Sequence, residues 1–246
     1  MNKNKLSIVY EQFHRTTSIQ KKIINSNSFT YRIILNVINK YLKPNDNILD
    51  IGCGAGTLVL FFASKGNKAK GIDISKSAIE TCRESADILD LNNATFEVCR
   101  FPDETPKGKF DFTICSEVLE HLEKDNLALS KIYSLLNKNG RVFISTPSLN
   151  ALLYKLGLAT EFDKRVGHLR RYYLSELVIM SEKAGFRVIE SGKTEGVLRN
   201  FLFLNPVAGE VVRFMKSFIA DGFTLLDNLS LKLFGESQIY VILEKI

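Results

Sequence analysis

Asn47-Ile48-Leu49-Asp50-Ile51-Gly52-Cys53-Gly54-Ala55-Gly56-Thr57-Leu58 is the stretch whose reading decides the fold. An apolar run with a single acid near its end passes through three alternating glycines into the helix-like Leu58-Val59-Leu60-Phe61-Phe62-Ala63. Strand, glycine-rich turn and helix in that order is how α/β proteins bring backbone N–H groups up to a ligand, because glycine lacks the Cβ that would block the approach. The spacing is G-x-G-x-G. The dinucleotide fingerprint G-x-G-x-x-G needs a glycine where Thr57 stands, which disfavours a nicotinamide-dependent oxidoreductase. A second acid, Asp73, ends the next apolar segment (Ala69-Lys70-Gly71-Ile72-Asp73), where a ribose-binding carboxylate belongs after one βαβ step.

Outward from this centre the pattern alternates. Two helices are expected ahead of the sheet, over 5–24 and 26–42. In the second, Phe29, Ile33, Ile34, Val37, Ile38 and Tyr41 fall at helical spacing, and Pro44 stops it. Strands are expected at 47–52, 68–73, 94–99, 110–115 and 140–146, with helices at 56–65, 75–90 and 123–137 between most of them. That alternation implies a parallel, doubly wound α/β sheet. Asn139-Gly140 reads as a turn before the fifth strand and Pro147 as its end. A helix over 174–184 leads to a strand over 186–191, and the β-branched run Gln238–Leu243 suits a last strand. No repeat or low-complexity linker interrupts the chain, so the reading is a single domain over 1–246 with insertions at 148–172 and 196–236.

The chain has 246 residues, 45% of them hydrophobic, with mean hydropathy near zero, which excludes a mainly disordered protein. Its longest uninterrupted apolar run, Leu58 to Ala63, is far short of the roughly 20 residues of a membrane span. The N-terminal residues are polar and basic, without the apolar region of a signal peptide. Cys53, Cys82, Cys99 and Cys115 are scattered, with no C-x-x-C pair to suggest zinc or disulfides, so a cytoplasmic setting is expected. Residues 1–46 hold eight Lys or Arg against Glu11 and Asp46, a local excess that equals the whole net charge of +6. Such a segment attracts phosphates, anionic lipid or RNA, or is simply a solvated helix face. No aromatics interleave with the basic residues as nucleic-acid stacking would require, which argues against a nucleic-acid partner.

The glycine motif, its spacing and the second acid together resemble the nucleoside site of class I S-adenosylmethionine (SAM) methyltransferases. The order of elements, with a late strand after the sixth, is similar to their seven-stranded, mostly parallel, Rossmann-like sheet. Within that class the pattern most resembles the ubiquinone-pathway O-methyltransferases and related small-molecule enzymes. The resemblance implies SAM as cofactor. It implies cofactor contacts from Asp50, Gly52, Cys53, Gly54 and Gly56 in the glycine motif, from Asp73 and Ile74 at the ribose, and from Ser116 at the end of the fourth strand. Arg32 matches the arginine expected to pair with the methionine carboxylate; the other reading of Arg32 is a surface charge on the second helix. One departure concerns adenine. Where many relatives place an acid after strand three, this chain has Cys99-Arg100-Phe101, and arginine cannot accept a hydrogen bond. Either Phe101 packs on the adenine, or the loop brings Asp103 around.

Methyl transfer from a sulfonium is an in-line displacement, so the protein mainly aligns donor and acceptor and excludes water. A hydroxyl acceptor also needs a base or a metal. Ser116-Glu117-Val118-Leu119-Glu120-His121 offers both, since Glu117 lies on one helical face with Glu120 or His121. The quinone-pathway relatives share E-x-x-E-H, and the resemblance implies a divalent-metal role for Glu117, Glu120 and His121. The plainer reading is a helix start whose acids favour the macrodipole. Val166-Gly167-His168-Leu169-Arg170-Arg171-Tyr172-Tyr173 is the second candidate, with His168 as base or as holder of an anionic acceptor. Its plainer reading is a loop tying the first insertion to the next helix. Glu117, His121 and His168 are therefore the catalytic candidates.

The insertions bear on the acceptor. Leu149, Leu152, Leu153 and Leu156 make a short apolar helix on the rim. The longer insertion carries Phe201–Leu204, Val211, Val212, Phe214, Met215, Phe218, Ile219, Leu225, Leu226, Leu229, Leu233 and Phe234, with Arg199, Arg213 and Lys216 among them. This is either an amphipathic lid for a lipid-like acceptor or a helix lying on a membrane surface, or else a homodimer interface or additional core. The sequence thus reads as a SAM-dependent methyltransferase acting on a small molecule at oxygen. An RNA-modifying methyltransferase and a SAM-binding, non-catalytic partner subunit are the alternatives.

Overall fold

A computed structural model describes residues 18–205 and 217–246. Seven strands form one sheet: β1 (Asn47–Ile51), β2 (Lys68–Asp73), β3 (Ala94–Val98), β4 (Phe110–Ser116), β5 (Leu136–Pro147), β6 (Phe186–Thr194) and β7 (Gln238–Lys245), in the order β3-β2-β1-β4-β5-β7-β6. β1 to β5 run parallel and β7 runs antiparallel between β5 and β6. The doubly wound sheet expected from the sequence is the one observed.

Parallel strands are covered on both faces and so read as continuous apolar runs. In β1, Ile48 packs into one core, and Leu49 and Ile51 into the other. β7 splits the same way, with Tyr240 and Ile242 on one face and Ile239, Val241 and Leu243 on the opposite one. Helices α1 (Arg32–Ile38), α2 (Thr57–Ser64) and α3 (Lys76–Ile88) contribute to the first core, and α4 (Asp125–Leu135) and α7 (Leu174–Lys183) to the second. Ser75 caps α3 by accepting from the Ala78 N–H at 3.2 Å. Sheet order reverses between β1 and β4, and ligands of open α/β sheets bind in the crevice at such a switch point.

Two expectations about the N-terminal part are corrected. Of the helix expected over 5–24, residues 5–17 lie outside the described residues, and 18–24 are not helical. Gln20 is instead tied to the glycine loop and α3: its Nε2 donates to Ala55 O (2.7 Å) and Thr57 Oγ1 (2.9 Å), and its backbone N–H to Ser85 Oγ (2.9 Å). The helix expected over 26–42 is confined to Arg32–Ile38, because the chain before it turns at Asn25–Ser28 (Ser28 N to Asn25 O, 2.8 Å). The Asn139-Gly140 turn is absorbed into β5, where the register with β4 shifts.

The first insertion forms two short helices, α5 (Leu152–Lys155) and α6 (Thr160–Val166), rather than one; α6 ends at Gly167 with φ +83°. The second contains α8 (Val197–Leu204) and α9 (Ser217–Phe234). Val211, Val212, Arg213, Phe214, Met215 and Lys216 lie outside the described residues, as do the side chains of Phe218 and Ile219. A small apolar cluster of Phe29 and Ala220 with Leu202, Phe203 and Phe223 docks this insertion on the segment before α1. The reading of α9 as additional core does not hold along its whole length: Leu225 is 72% exposed, and Leu226, Leu229, Leu233 and Phe234 are exposed with it. Among the described residues no helix is long and apolar enough to cross a membrane.

Candidate active site

The loops after β1 and β4 face each other across the switch point and floor a cleft of about 650 Å³. Gly52 and Gly54 turn the first loop with φ of +70° and +50°. A Cβ on Gly52 would lie 2.5 Å from Val118 Cγ2, so the two loops can meet only with glycine there. Gly52 and Cys53 N–H both donate to Ile72 O (2.8 and 3.0 Å), fastening the loop to the end of β2.

Asp73 is buried and held from behind. Its Oδ2 accepts from Gly54 N–H at 3.0 Å and its Oδ1 from Ser75 N–H at 2.9 Å. Each carboxylate oxygen keeps acceptor capacity toward the cleft, as a pair of ribose hydroxyls requires. Gly52, Cys53, Gly54, Asp73, Ile74, Phe101 and Ser116 all line the cleft. The adenine alternatives separate here: Phe101 lines the cleft, whereas Asp103 pairs with Lys124 at 2.9 Å.

Three expected cofactor residues stand elsewhere. Asp50 lines a smaller pocket of about 150 Å³ behind Gly52, shared with Tyr31, Thr57 and Ser116. Desolvation, reinforced by the Asp73 charge, pushes its carboxyl up to about 8. Gly56 does not line the cleft. It begins α2 with φ +71°, and an added Cβ would meet Cys82 Sγ at 2.8 Å and Phe96 Cε1 at 2.9 Å, so Gly56 packs against α3 and β3. Arg32 is turned away from the cleft: its guanidinium binds Asn27 O (2.9 Å), Thr224 Oγ1 (3.2 Å) and Asp221 Oδ1 (2.7 Å). Thr30 and Tyr31, from the same segment, line the cleft instead.

Beyond Ser116 the chain brings the catalytic candidates together in a changed arrangement. Glu117 adopts φ +55°, a costly conformation for a residue with a side chain. Its carboxylate accepts from Ser145 Oγ (3.0 Å) and Gln238 Nε2 (2.8 Å). Glu117 is an exposed residue that lines the cleft, and desolvation within the cleft raises its carboxyl above the ordinary value. Glu120 and His121 follow in a single 3₁₀ turn, Leu119–His121. Glu120 is fully buried; Thr146 donates to its Oε2 at 3.1 Å, while its Oε1 has no hydrogen-bond partner. That oxygen lies 3.9 Å from His121 Nε2 and 3.8 Å from His168 Nε2. Both imidazoles are anchored through Nδ1, His121 on Gly167 O (3.1 Å) and His168 on Asp163 Oδ1 (2.9 Å). If each Nδ1 carries the proton, both Nε2 lone pairs face Glu120. Burial, then the neighbouring His168, lowers His121 to about 4.

Glu120, His121 and His168 thus bring three ligand atoms within 4.8 Å of one another. Glu117, expected in a metal set, is not in this cluster, and His168 takes that place. Sequence reasoning also missed Asp163, which comes from α6. Its oxygens receive His168 and a two-pronged Arg171 (2.8 and 2.7 Å). Burial would raise its carboxyl, but these hydrogen bonds hold it below the ordinary value. Gln238, Glu195 and Asn200 also line the cleft, brought there by β6, β7 and α8.

The model of a family described as a methyltransferase domain matches residues 42–192. The chain is 30% identical over 162 residues to the ubiquinone biosynthesis O-methyltransferase of Neisseria meningitidis (serogroup A), covering 61% of this chain and 68% of that protein. It is 31% identical over 152 residues to the protein of the same name from Pseudomonas aeruginosa (strain PAO1), covering 57% of this chain and 64% of that one. Its fold is similar to phosphoethanolamine N-methyltransferase 2 of Haemonchus contortus, solved in complex with S-adenosyl-L-methionine. The TM-score is 0.66 at 18% identity, over 97% of this chain and 56% of that one.

Proposed function

The chain belongs to the methyltransferase domain family and is a SAM-dependent methyltransferase, and from that premise we propose that it methylates a hydroxyl of a small, largely apolar acceptor. The observation that carries this reading is the placement of Glu117, His121 and His168 on the cleft that Asp73 and the glycine loop also line. Apolar Ile33, Ile34, Val37, Phe203 and Leu204 wall the same cleft, which suits a lipid-like body.

In this account Asp73 takes the ribose hydroxyls, the Gly52–Gly54 backbone passes close to the methionine part, and Phe101 lies against the adenine. Ser116, hydrogen-bonded to Ser145 at 2.8 Å, lies between the donor site and Glu117. Glu117 is the group proposed to take the hydroxyl proton, because its carboxylate lines the cleft beside Ser116 and desolvation raises it above the ordinary value, which strengthens it as a base. The acceptor oxygen then attacks the methyl carbon in line, a C–O bond forms as the C–S bond breaks, and the sulfonium leaves as a neutral thioether.

The resemblance also implies a divalent ion, and the residues fit one. The unpartnered buried Glu120 Oε1, two imidazole Nε2 atoms facing it and the Asp163 carboxylate behind His168 are the ligands and outer partner such an ion takes. Glu120, His121 and His168 would hold it, and when bound it would supply Lewis-acid activation of the acceptor oxygen.

The test is to incubate the protein with methyl-labelled SAM and, separately, a small-molecule extract or RNA. Label should appear in the small-molecule fraction. Label confined to RNA would favour the RNA-modifying alternative, to which Lys3, Lys5 and Arg15 would contribute from outside the described residues.

A further inference from the structure

The polar end of the cleft at Glu195 has a one-sided chemistry. Glu195 follows β6 with φ +55°, like Glu117, so two residues with side chains hold the left-handed conformation on one cleft. Asn200 is 9% exposed, and its Oδ1 has no hydrogen-bond partner. Gln238 must turn its Nε2 to the Glu117 carboxylate, which leaves its Oε1 buried and without a partner. Among the described cleft-lining residues, every buried side-chain atom without a partner is therefore an acceptor.

The charges lean the same way. Half-buried Glu195 and buried Asp227 lie beside one buried guanidinium, Arg199, whose Nε donates to Glu195 Oε1 at 3.1 Å and whose Nη1 has no partner. Asp227 spends its oxygens on the backbone N–H groups of Gly196 and Arg199, both at 2.8 Å. Among the described residues, this pair of carboxylates has one cation, Arg199, so one negative charge is left over. Desolvation, with Glu117 and Asp227 adding to it, pushes the Glu195 carboxyl up to about 7 even though Arg199 is paired with it. A metal cage is not formed here: among the described residues, only Glu120, His121 and His168 bring three ligand atoms together.

We propose that the acceptor carries a cationic amine, seated on Glu195 and hydrogen-bonded to Asn200 Oδ1 and Gln238 Oε1, apart from the hydroxyl that is methylated. This rests on the reading of the cleft as the acceptor site of a methyltransferase. An ammonium brings donors only, complements three acceptors and supplies the missing charge. Phe203, on the same cleft, offers an aromatic face to the adjoining carbon skeleton.

The experiment is calorimetry at pH 7 on protein saturated with S-adenosylhomocysteine, using three probes of one shape: phenethylamine, 2-phenylethanol and 3-phenylpropionate. Phenethylamine should bind at least tenfold more tightly than the alcohol, with the carboxylate weakest. Glu195→Gln should bring the amine to the level of the alcohol, and Gln238→Leu should weaken the amine selectively. Equal or tighter binding of the alcohol or carboxylate overturns the proposal, as does an amine preference that survives Glu195→Gln. S-Adenosylhomocysteine binding by each variant reports its folding. Failure of the unsubstituted protein to bind S-adenosylhomocysteine would instead count against the methyltransferase reading itself.

Discussion

His168 Nδ1 meets Asp163 Oδ1 at 2.9 Å, and its Nε2 then faces Glu120 across 3.8 Å. A contact across the end of α6, both partners within the first insertion, thereby aims the imidazole at Glu120 on the loop after β4. Asp163→Asn should lower the affinity for a divalent ion by about 10–100-fold, the usual cost of losing an outer-sphere carboxylate. Competition against a chromophoric chelator measures it, with S-adenosylhomocysteine affinity unchanged. Unaltered ion affinity would remove Asp163 from this role.

Arg32 holds the second insertion through Asp221 and Thr224. Arg32→Ala should leave S-adenosylhomocysteine affinity within about threefold, under 1 kcal/mol, while proteolytic cleavage within 205–236 speeds up. A tenfold or greater loss of cofactor affinity, with cleavage unchanged, would restore the carboxylate-binding role inferred from the sequence.

Gly56 combines a left-handed backbone with atoms closer than 3 Å to any added Cβ. Gly56→Ala should cost about 1–3 kcal/mol in urea unfolding, the usual price of overpacking a core. If stability is unchanged and only cofactor binding falls, Gly56 touches the cofactor after all.

Asp50 gives a pH dependence with a definite sign. Its folded carboxyl is raised to about 8, against roughly 3.9 when unfolded. A raised folded value contributes stability below the unfolded value and loses it as pH rises through the folded one. The melting temperature of the cofactor-free protein should therefore decline between about pH 4 and pH 8, and Asp50→Asn should flatten that decline. An identical slope in the variant would mean that Asp50 is already ionised.

What the sequence disclosed followed from local physics. The G-x-G-x-G turn, Asp73 at a strand end and period-free apolar runs are consequences of backbone sterics and two-sided burial, so the sheet and the place of Asp73 beside the glycine loop were legible. The partners of Arg32 were not legible, because spacing along α1 says nothing of Asp221 and Thr224, which reach it from almost two hundred residues away. E-x-x-E-H was read as a helical face, but the turn there is only Leu119–His121, and Glu117 turns to Ser145 and Gln238. Gln238 and Asp163 enter the site through an antiparallel last strand and an unforeseen short helix. Neither carries a periodic signal.

The central claim is that Glu117 and His168 act on the acceptor while Asp73 and the glycine loop hold the donor. The most direct measurement is the single-turnover rate of methyl transfer to an acceptor recovered from the labelling experiment, compared among the unsubstituted protein, Glu117→Gln and His168→Ala. The account predicts losses of about 10²–10⁴ in rate for both variants, with S-adenosylhomocysteine affinity retained. Rates that match the unsubstituted protein in both variants would contradict it.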